Sequence, residues 1–133
     1  RLTPVSDVFR DAKPDVLSDK LSLMGQGWSG GTRLGDALAS FNKNYAGKLR
    51  RSRSIALLMS DGYDAGEAGT LADQLTRLKK KCGKLIWLNP LLGRASYTPE
   101  TKAAQLLLAH ADAVAPAHNL ASLERLDGVW GRV

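Results

Sequence analysis

The apolar residues of this chain follow two spacings that alternate from residue 34 onward. The first is a helical spacing of three to four residues, which predicts a helix whose buried face is formed by Leu34, Ala37, Leu38, Phe41 and Tyr45. The second is the short continuous apolar run SIALLMS at residues 54–60. This run is too short and too uniformly apolar for an exposed helix, so it predicts a buried parallel strand.

The same alternation continues to the end of the chain. Residues 70–82 carry Leu71, Leu75 and Leu78 at helical spacing, and Gly83 stands where a helix C-cap is expected. Residues 84–89, KLIWLN, predict a second strand that stops at Pro90. Three further elements are predicted: a helix at 99–111, a short strand at 112–117 and a helix at 119–130 that carries Leu120, Leu123 and Leu126 at helical spacing.

The order of these elements predicts an α/β fold. Strands that alternate with helices form a parallel sheet, and right-handed crossovers place helices on both of its faces. Ligands of such sheets bind at the carboxyl ends of the strands. The loop after the first strand, SDGYD, is the only strand-end loop with two carboxylates, Asp61 and Asp64.

Composition narrows the class of protein. The chain has 133 residues, of which 44% are hydrophobic, and this matches one ordinary globular domain. No apolar run approaches the roughly 20 residues that span a bilayer, and no signal-peptide pattern opens the sequence. The single cysteine, Cys82, follows the leucine stripe of the second helix and is predicted to be a buried small hydrophobe. These features favour a cytoplasmic protein.

Two loops are candidates for ligand binding. Residues 27–32, GWSGGT, precede the first helix and permit two interpretations besides a metal site. One is a phosphate-binding loop, which is disfavoured because no GxxxxGK[ST] motif is present. The other is a turn in which Ser29 or Thr32 caps the helix. Asp61-Gly62 is also a common turn dipeptide. Considered together, the hydroxyl of Thr32 and the carboxylate of Asp61 are hard oxygen ligands of the type that Mg²⁺ accepts.

These motifs resemble those of a known family. SGGT leading into an amphipathic helix, followed by an apolar strand ending in SDG, is similar to the second and third segments of the metal-ion-dependent adhesion site of von Willebrand factor type A (VWA) domains. The segments GWSGGTRLGDALASFN, LLMSDGYDAGE, LIWLNPLLG and PAHNLASLERL resemble the CoxE-like VWA proteins in the same order. The resemblance covers nearly the whole chain. It implies the Rossmann-like VWA fold, with Thr32 and Asp61 as metal ligands and Mg²⁺ or another divalent cation as the cofactor.

One part of the family pattern is absent from this sequence. VWA domains hold their metal with a DxSxS motif on the first strand, and no DxSxS occurs in residues 1–133. The resemblance therefore implies that residues 1–133 are a partial VWA domain, its carboxyl-terminal two thirds, without the amino-terminal strands. Two ligands cannot fill six positions around Mg²⁺, so we expect weak or no metal binding. The strand at 54–60 is expected to keep an unpaired edge and an uncovered apolar face.

The resemblance also implies a function. VWA domains recognise protein partners whose acidic side chain completes the metal coordination, and CoxE-like proteins are associated with MoxR-type AAA+ ATPases and with maturation of metalloenzymes such as carbon-monoxide dehydrogenase. This implies a binding module and not an enzyme. The residues next to the two loops that suit a partner interface are Trp28, Ser29, Tyr63 and Asp64.

Two other functions have some support in the sequence. The net charge is +6, and basic residues cluster at 48–53 and at 77–84, before two strands. Such clusters suit nucleic acid, an acidic protein or an anionic membrane surface, although aromatic residues for base stacking are absent from both. Metal-assisted hydrolysis with Asp61 and Asp64 is the enzymatic alternative. His110 and His118 accompany no GxSxG nucleophile, and only His118, in the loop after the last strand, is a candidate site residue.

Overall fold

The computed structural model describes residues 2–11, 13–26 and 31–130. They form two compact units, one in the first 31 residues and one from Thr32 onward. The first unit holds two helices that contact each other, α1 (Ser6–Asp11) and α2 (Pro14–Met24). Pro14 begins α2, a position where the missing N–H of proline removes no intrahelical bond.

The second unit contains the alternation that the sequence predicts. In the part of the chain that the structure describes, no helix has the length and apolar character needed to traverse a lipid bilayer. The elements are α3 (Leu34–Asn44), a 3-10 turn (Ala46–Lys48), β1 (Ile55–Met59), α4 (Ala68–Lys81), β2 (Lys84–Asn89), α5 (Lys102–His110), β3 (Ala113–Pro116), α6 (Leu120–Glu124) and α7 (Asp127–Trp130).

The three strands form one parallel sheet in the order β1-β2-β3. The register pairs Leu57 with Ile86 and Trp87 with Val114. Helix α4 connects β1 to β2, and α5 connects β2 to β3, as expected for parallel strands that need crossover connections. The predicted α/β class with a parallel sheet is confirmed.

The main core lies on the face of the sheet that α3, α4 and α5 cover. The predicted stripe of α4 is buried there: Leu71 and Leu75 are 0% exposed, and Leu78 and Cys82 are 3% exposed. Trp87 of β2 is also fully buried in this cluster. Leu34 and Leu38 of α3 contact the same core, which is the face that helical periodicity predicts for that helix.

The opposite face of the sheet has a smaller core. Ile86, Leu88 and Ala115 pack there with Leu126, which lies between α6 and α7. The same face of β1 is not covered: Ile55, Leu57 and Met59 are 37%, 48% and 61% exposed. Among the described residues β1 pairs only with β2, so it is an edge strand with an exposed apolar face. This agrees with the expected unpaired edge and uncovered face, whereas the buried strand that the apolar run alone predicts is wrong for this face.

Two predicted helices differ from the structure. The helix expected at 99–111 begins at Lys102, because Thr101 is its N-cap and accepts a hydrogen bond from the Ala104 N–H. The helix expected at 119–130 is two short helices, because the N–H groups of Leu126 and Gly128 bond to carbonyls three residues earlier and tighten the chain. Of the three leucines at helical spacing only Leu126 is buried, since Leu120 and Leu123 are 72% and 38% exposed.

Candidate functional site

The residues just before and at the start of α3 contact the loop after β1 at the carboxyl edge of the sheet; residues 27–30 of the other candidate loop lie outside the described residues. The Ala65 N–H, in the loop after β1, donates a 2.8 Å hydrogen bond to the carbonyl of Thr32. The Leu34 N–H, at the start of α3, donates a 2.7 Å hydrogen bond to Oδ1 of Asp64. The loop before α3 and the loop after β1 are thereby joined side by side.

The amino terminus of helix α3 is capped by the side chain of Asp64, which lies 30 positions later in the chain than Leu34. Its N-cap residue is Arg33, whose side chain makes no capping hydrogen bond, and Asp64 accepts from the first helical N–H instead. A carboxylate at this position also interacts favourably with the helix dipole. Thr32 is exposed and does not cap α3, so that alternative is wrong for Thr32; its side chain makes no hydrogen bond within the described residues. Trp28 and Ser29 lie outside the described residues.

Asp61 lies two residues beyond the last residue of β1, in a tight turn. Its Oδ1 accepts a 2.9 Å hydrogen bond from the Tyr63 N–H, and the Ser60 hydroxyl accepts one of 3.1 Å from the Gly62 N–H. Gly62 has φ +86°, a left-handed conformation that favours glycine. Asp61-Gly62 is therefore a turn, and the same turn leaves the Asp61 side chain exposed at the sheet edge.

Three successive carbonyls of this turn accept hydrogen bonds from side chains of other elements. Trp87 Nε1 donates to the Ser60 carbonyl at 2.9 Å. The Tyr97 hydroxyl donates to the Asp61 carbonyl at 3.1 Å, and the Thr101 hydroxyl to the Gly62 carbonyl at 2.5 Å. The backbone that carries Asp61 is thus held by groups from β2 and from the segment between β2 and α5.

Tyr97 is itself oriented by a buried amide. Asn89, the last residue of β2, is 0% exposed; its Nδ2 donates to the Tyr97 hydroxyl at 2.8 Å, and its Oδ1 accepts from the Leu91 N–H at 2.8 Å. No periodicity or motif predicted this support: the apolar pattern places Trp87 in a strand, and it gives Asn89 and Tyr97 no role. The available signal was Asn89 itself, a polar residue that ends an otherwise apolar strand.

The described residues supply part of a donor set for a hard cation. The Thr32 hydroxyl and the Asp61 carboxylate lie on adjoining loops, and both residues are exposed. Within residues 2–11, 13–26 and 31–130, no three His, Cys, Asp or Glu side chains are grouped so that they could hold a metal. Octahedral Mg²⁺ takes six oxygens, so the fit is partial and needs ligands from elsewhere.

The remaining candidates lie at different places. Tyr63, next to Asp61, is 57% exposed. His118 follows β3, is exposed, and its ring packs directly against Gly93 of the loop after β2. His110 ends α5, where its Nδ1 lies 2.8 Å from the Leu106 carbonyl, consistent with a structural role.

Comparison with protein families adds a decisive observation. The family model described as "VWA domain containing CoxE-like protein" matches residues 1–123. The chain belongs to this family. No curated protein and no solved structure matches the chain. In this CoxE-like VWA domain the matched region includes β1, β2, β3 and both candidate loops.

Proposed function

We propose that this CoxE-like VWA domain is a metal-ion-dependent protein-binding module, with Thr32 and Asp61 as ligands of Mg²⁺ or a similar divalent cation. The observation that carries the proposal is the junction of the two loops through Asp64 and Ala65, at the sheet edge where α/β folds bind ligands. The hydrogen bonds to the three carbonyls of the Asp61 turn also support it, because a preorganised ligand loses less entropy on binding.

The remaining coordination positions are filled by oxygens that these residues do not supply. In the proposal they come from a DxSxS segment of the kind that VWA domains carry and from an acidic side chain of the partner. The partner is a MoxR-type AAA+ ATPase or a client metalloenzyme such as carbon-monoxide dehydrogenase. The domain assists the assembly of the metalloenzyme and does not itself catalyse a reaction. Exposed Tyr63 beside Asp61 suits such an interface.

Paramagnetic NMR tests the metal ligands even if affinity is weak. Mn²⁺ added to the ¹⁵N-labelled chain is expected to broaden the amide signals of residues 31–33 and 61–64 first, and EDTA to restore them. Asp61→Asn is expected to remove this local broadening. Asp73→Asn removes an exposed carboxylate of α4 instead, and it is expected to leave the broadening unchanged.

Two outcomes contradict the metal proposal: broadening centred elsewhere on the chain, or tight binding that persists in Asp61→Asn. The partner proposal is tested separately with a purified MoxR-type ATPase in Mg²⁺ and in EDTA. We expect binding in Mg²⁺ alone and its loss in Asp61→Asn. Equal binding in both buffers would show that recognition does not use the metal.

A further inference from the structure

A concave basic surface lies between the carboxyl-terminal halves of α3 and α4. This surface, called here the α3–α4 groove, encloses about 500 Å³. Four of its lining residues are basic, and none is acidic; the lining consists of Ala39, Asn42, Lys43, Ala46, Gln74, Arg77, Lys80 and Lys81. α4 ends at Lys81, just before β2 begins at Lys84, so the groove lies toward the amino edge of the sheet, opposite the candidate metal site.

The four basic side chains of the groove have no acidic partner among the described residues. Lys43, Arg77, Lys80 and Lys81 take part in none of the ion pairs formed there. The neighbouring Lys79 differs, since its Nζ lies 3.4 Å from Asp112. Like charges around one concavity repel each other, and a ligand of opposite charge relieves that repulsion.

The charge and the residue types of the groove favour an acidic polypeptide over a nucleic acid. Asn42 Nδ2 donates to the Gln74 carbonyl at 3.0 Å and to Gln74 Oε1 at 2.9 Å, which ties α3 to α4. An acidic polypeptide supplies carboxylates that complement the four basic side chains of the groove. A nucleic acid gains less here, because no lining residue is aromatic and none can stack a base.

We propose that the α3–α4 groove is a second binding site of this domain and that it holds an acidic segment of a partner protein. The groove is independent of the proposed metal site, because it contains none of the residues of the metal site and lies toward the opposite edge of the sheet. Long-range attraction by the four cations accelerates the encounter, and the association therefore weakens as salt rises.

The test uses the full chain in EDTA, which removes any contribution from a metal. The probe is a fluorescently labelled peptide of alternating glutamate and alanine, with the matching glutamine peptide as the uncharged control. The variant Lys43→Gln/Arg77→Gln/Lys80→Gln removes three charges from the groove. Its matched control, Arg94→Gln/Lys102→Gln/Arg125→Gln, removes three exposed charges that do not line the groove, so both variants have the same net charge.

The groove variant is expected to bind the glutamate peptide about tenfold more weakly, because it loses three exposed ion pairs with the peptide. The control variant is expected to change little. Equal weakening in both variants overturns the proposal, because net charge alone then explains binding. A single-stranded oligonucleotide that displaces the peptide and depends on the same three residues also overturns it, in favour of nucleic acid. Lys80→Glu alone provides the same comparison if the triple variant folds poorly.

Discussion

Asp64 accepts a hydrogen bond from the Leu34 N–H at 2.7 Å, across 30 positions of sequence. This single contact joins the loop after β1 to the first turn of α3, and the Ala65 bond to the Thr32 carbonyl runs beside it. Thr32 and Asp61 share one edge of the fold because their loops are linked in this way. Asp64, which the sequence suggests for partner binding, therefore also has a structural role.

Replacing Asp64 tests that role. Asp64→Ala is expected to lower the free energy of unfolding by about 1 kcal/mol, as loss of a helix cap does. Urea unfolding followed by circular dichroism measures the change. Asp73→Ala, at an exposed position of α4, is the matched control and is expected to have almost no effect. Equal destabilisation by both substitutions would contradict a capping role for Asp64.

Tyr97 is expected to stabilise the Asp61 turn through its hydroxyl. Tyr97→Phe removes the bond to the Asp61 carbonyl and leaves the fully buried Asn89 Nδ2 without its acceptor, which costs about 1–3 kcal/mol. Tyr63→Phe removes an exposed hydroxyl that makes no hydrogen bond within the described residues. The two melting temperatures are compared, and a Tyr97→Phe protein as stable as Tyr63→Phe would show that the network contributes nothing.

Two glycines are expected to respond in opposite directions to alanine. Gly62→Ala places a Cβ at φ +86° and 3.0 Å from the Ala104 Cβ, so it is expected to destabilise by about 1–2 kcal/mol. Gly69 lies in α4 with open space around an added Cβ, and Gly69→Ala is expected to stabilise by up to about 1 kcal/mol. Chemical denaturation of both variants gives the signs. Stabilisation by Gly62→Ala would refute the left-handed turn.

The edge strand β1 is expected to promote self-association. Its outer side chains Ile55, Leu57 and Met59 are exposed, and no charge interrupts them. Leu57→Lys is expected to shift the sedimentation profile toward monomer. Leu120→Lys, on a side chain 72% exposed in α6, is the control for a general gain in solubility. If both substitutions dissociate the oligomers to the same extent, β1 does not form the interface between the copies.

Burial raises the pKa of the Cys82 thiol above its usual range, and the Asp112 carboxylate adds to the effect. The unfolded chain loses the thiol proton at the usual cysteine pKa, and the folded chain loses it only at higher pH. Stability from the neutral thiol is therefore complete below the usual pKa and is lost as pH rises through the raised one. We expect the urea midpoint to fall more steeply in this alkaline range for the native sequence than for Cys82→Ala. Equal slopes of the urea midpoint against pH for the two proteins would contradict a raised pKa of the Cys82 thiol.

Local periodicity was sufficient for most of the fold. Residue spacing accounts for the leucine stripe of α4 and for the apolar runs of β1 and β2. It also accounts for the burial of Trp87 and Cys82, because a helical or a continuous apolar pattern must bury one face of its element. The uncovered face of β1 does not follow from residue spacing, which predicts a buried strand; it was expected because the DxSxS segment of the family pattern is absent. Residue spacing also does not account for the exposure of Leu120 and Leu123, whose helical spacing is sound but whose segment contacts the sheet mainly through Leu126.

The arrangement of the candidate site depended on tertiary structure. The sequence by itself determined the strand ends and therefore the edge at which Thr32 and Asp61 were to be sought. Only the folded chain decided that Asp64 caps α3 and that Tyr97, held by Asn89, supports the Asp61 carbonyl. These bonds join groups 30 and 36 positions apart in two cases, and no local pattern encodes them, because hydrogen-bond partners are chosen by distance in space after the strands and helices have packed.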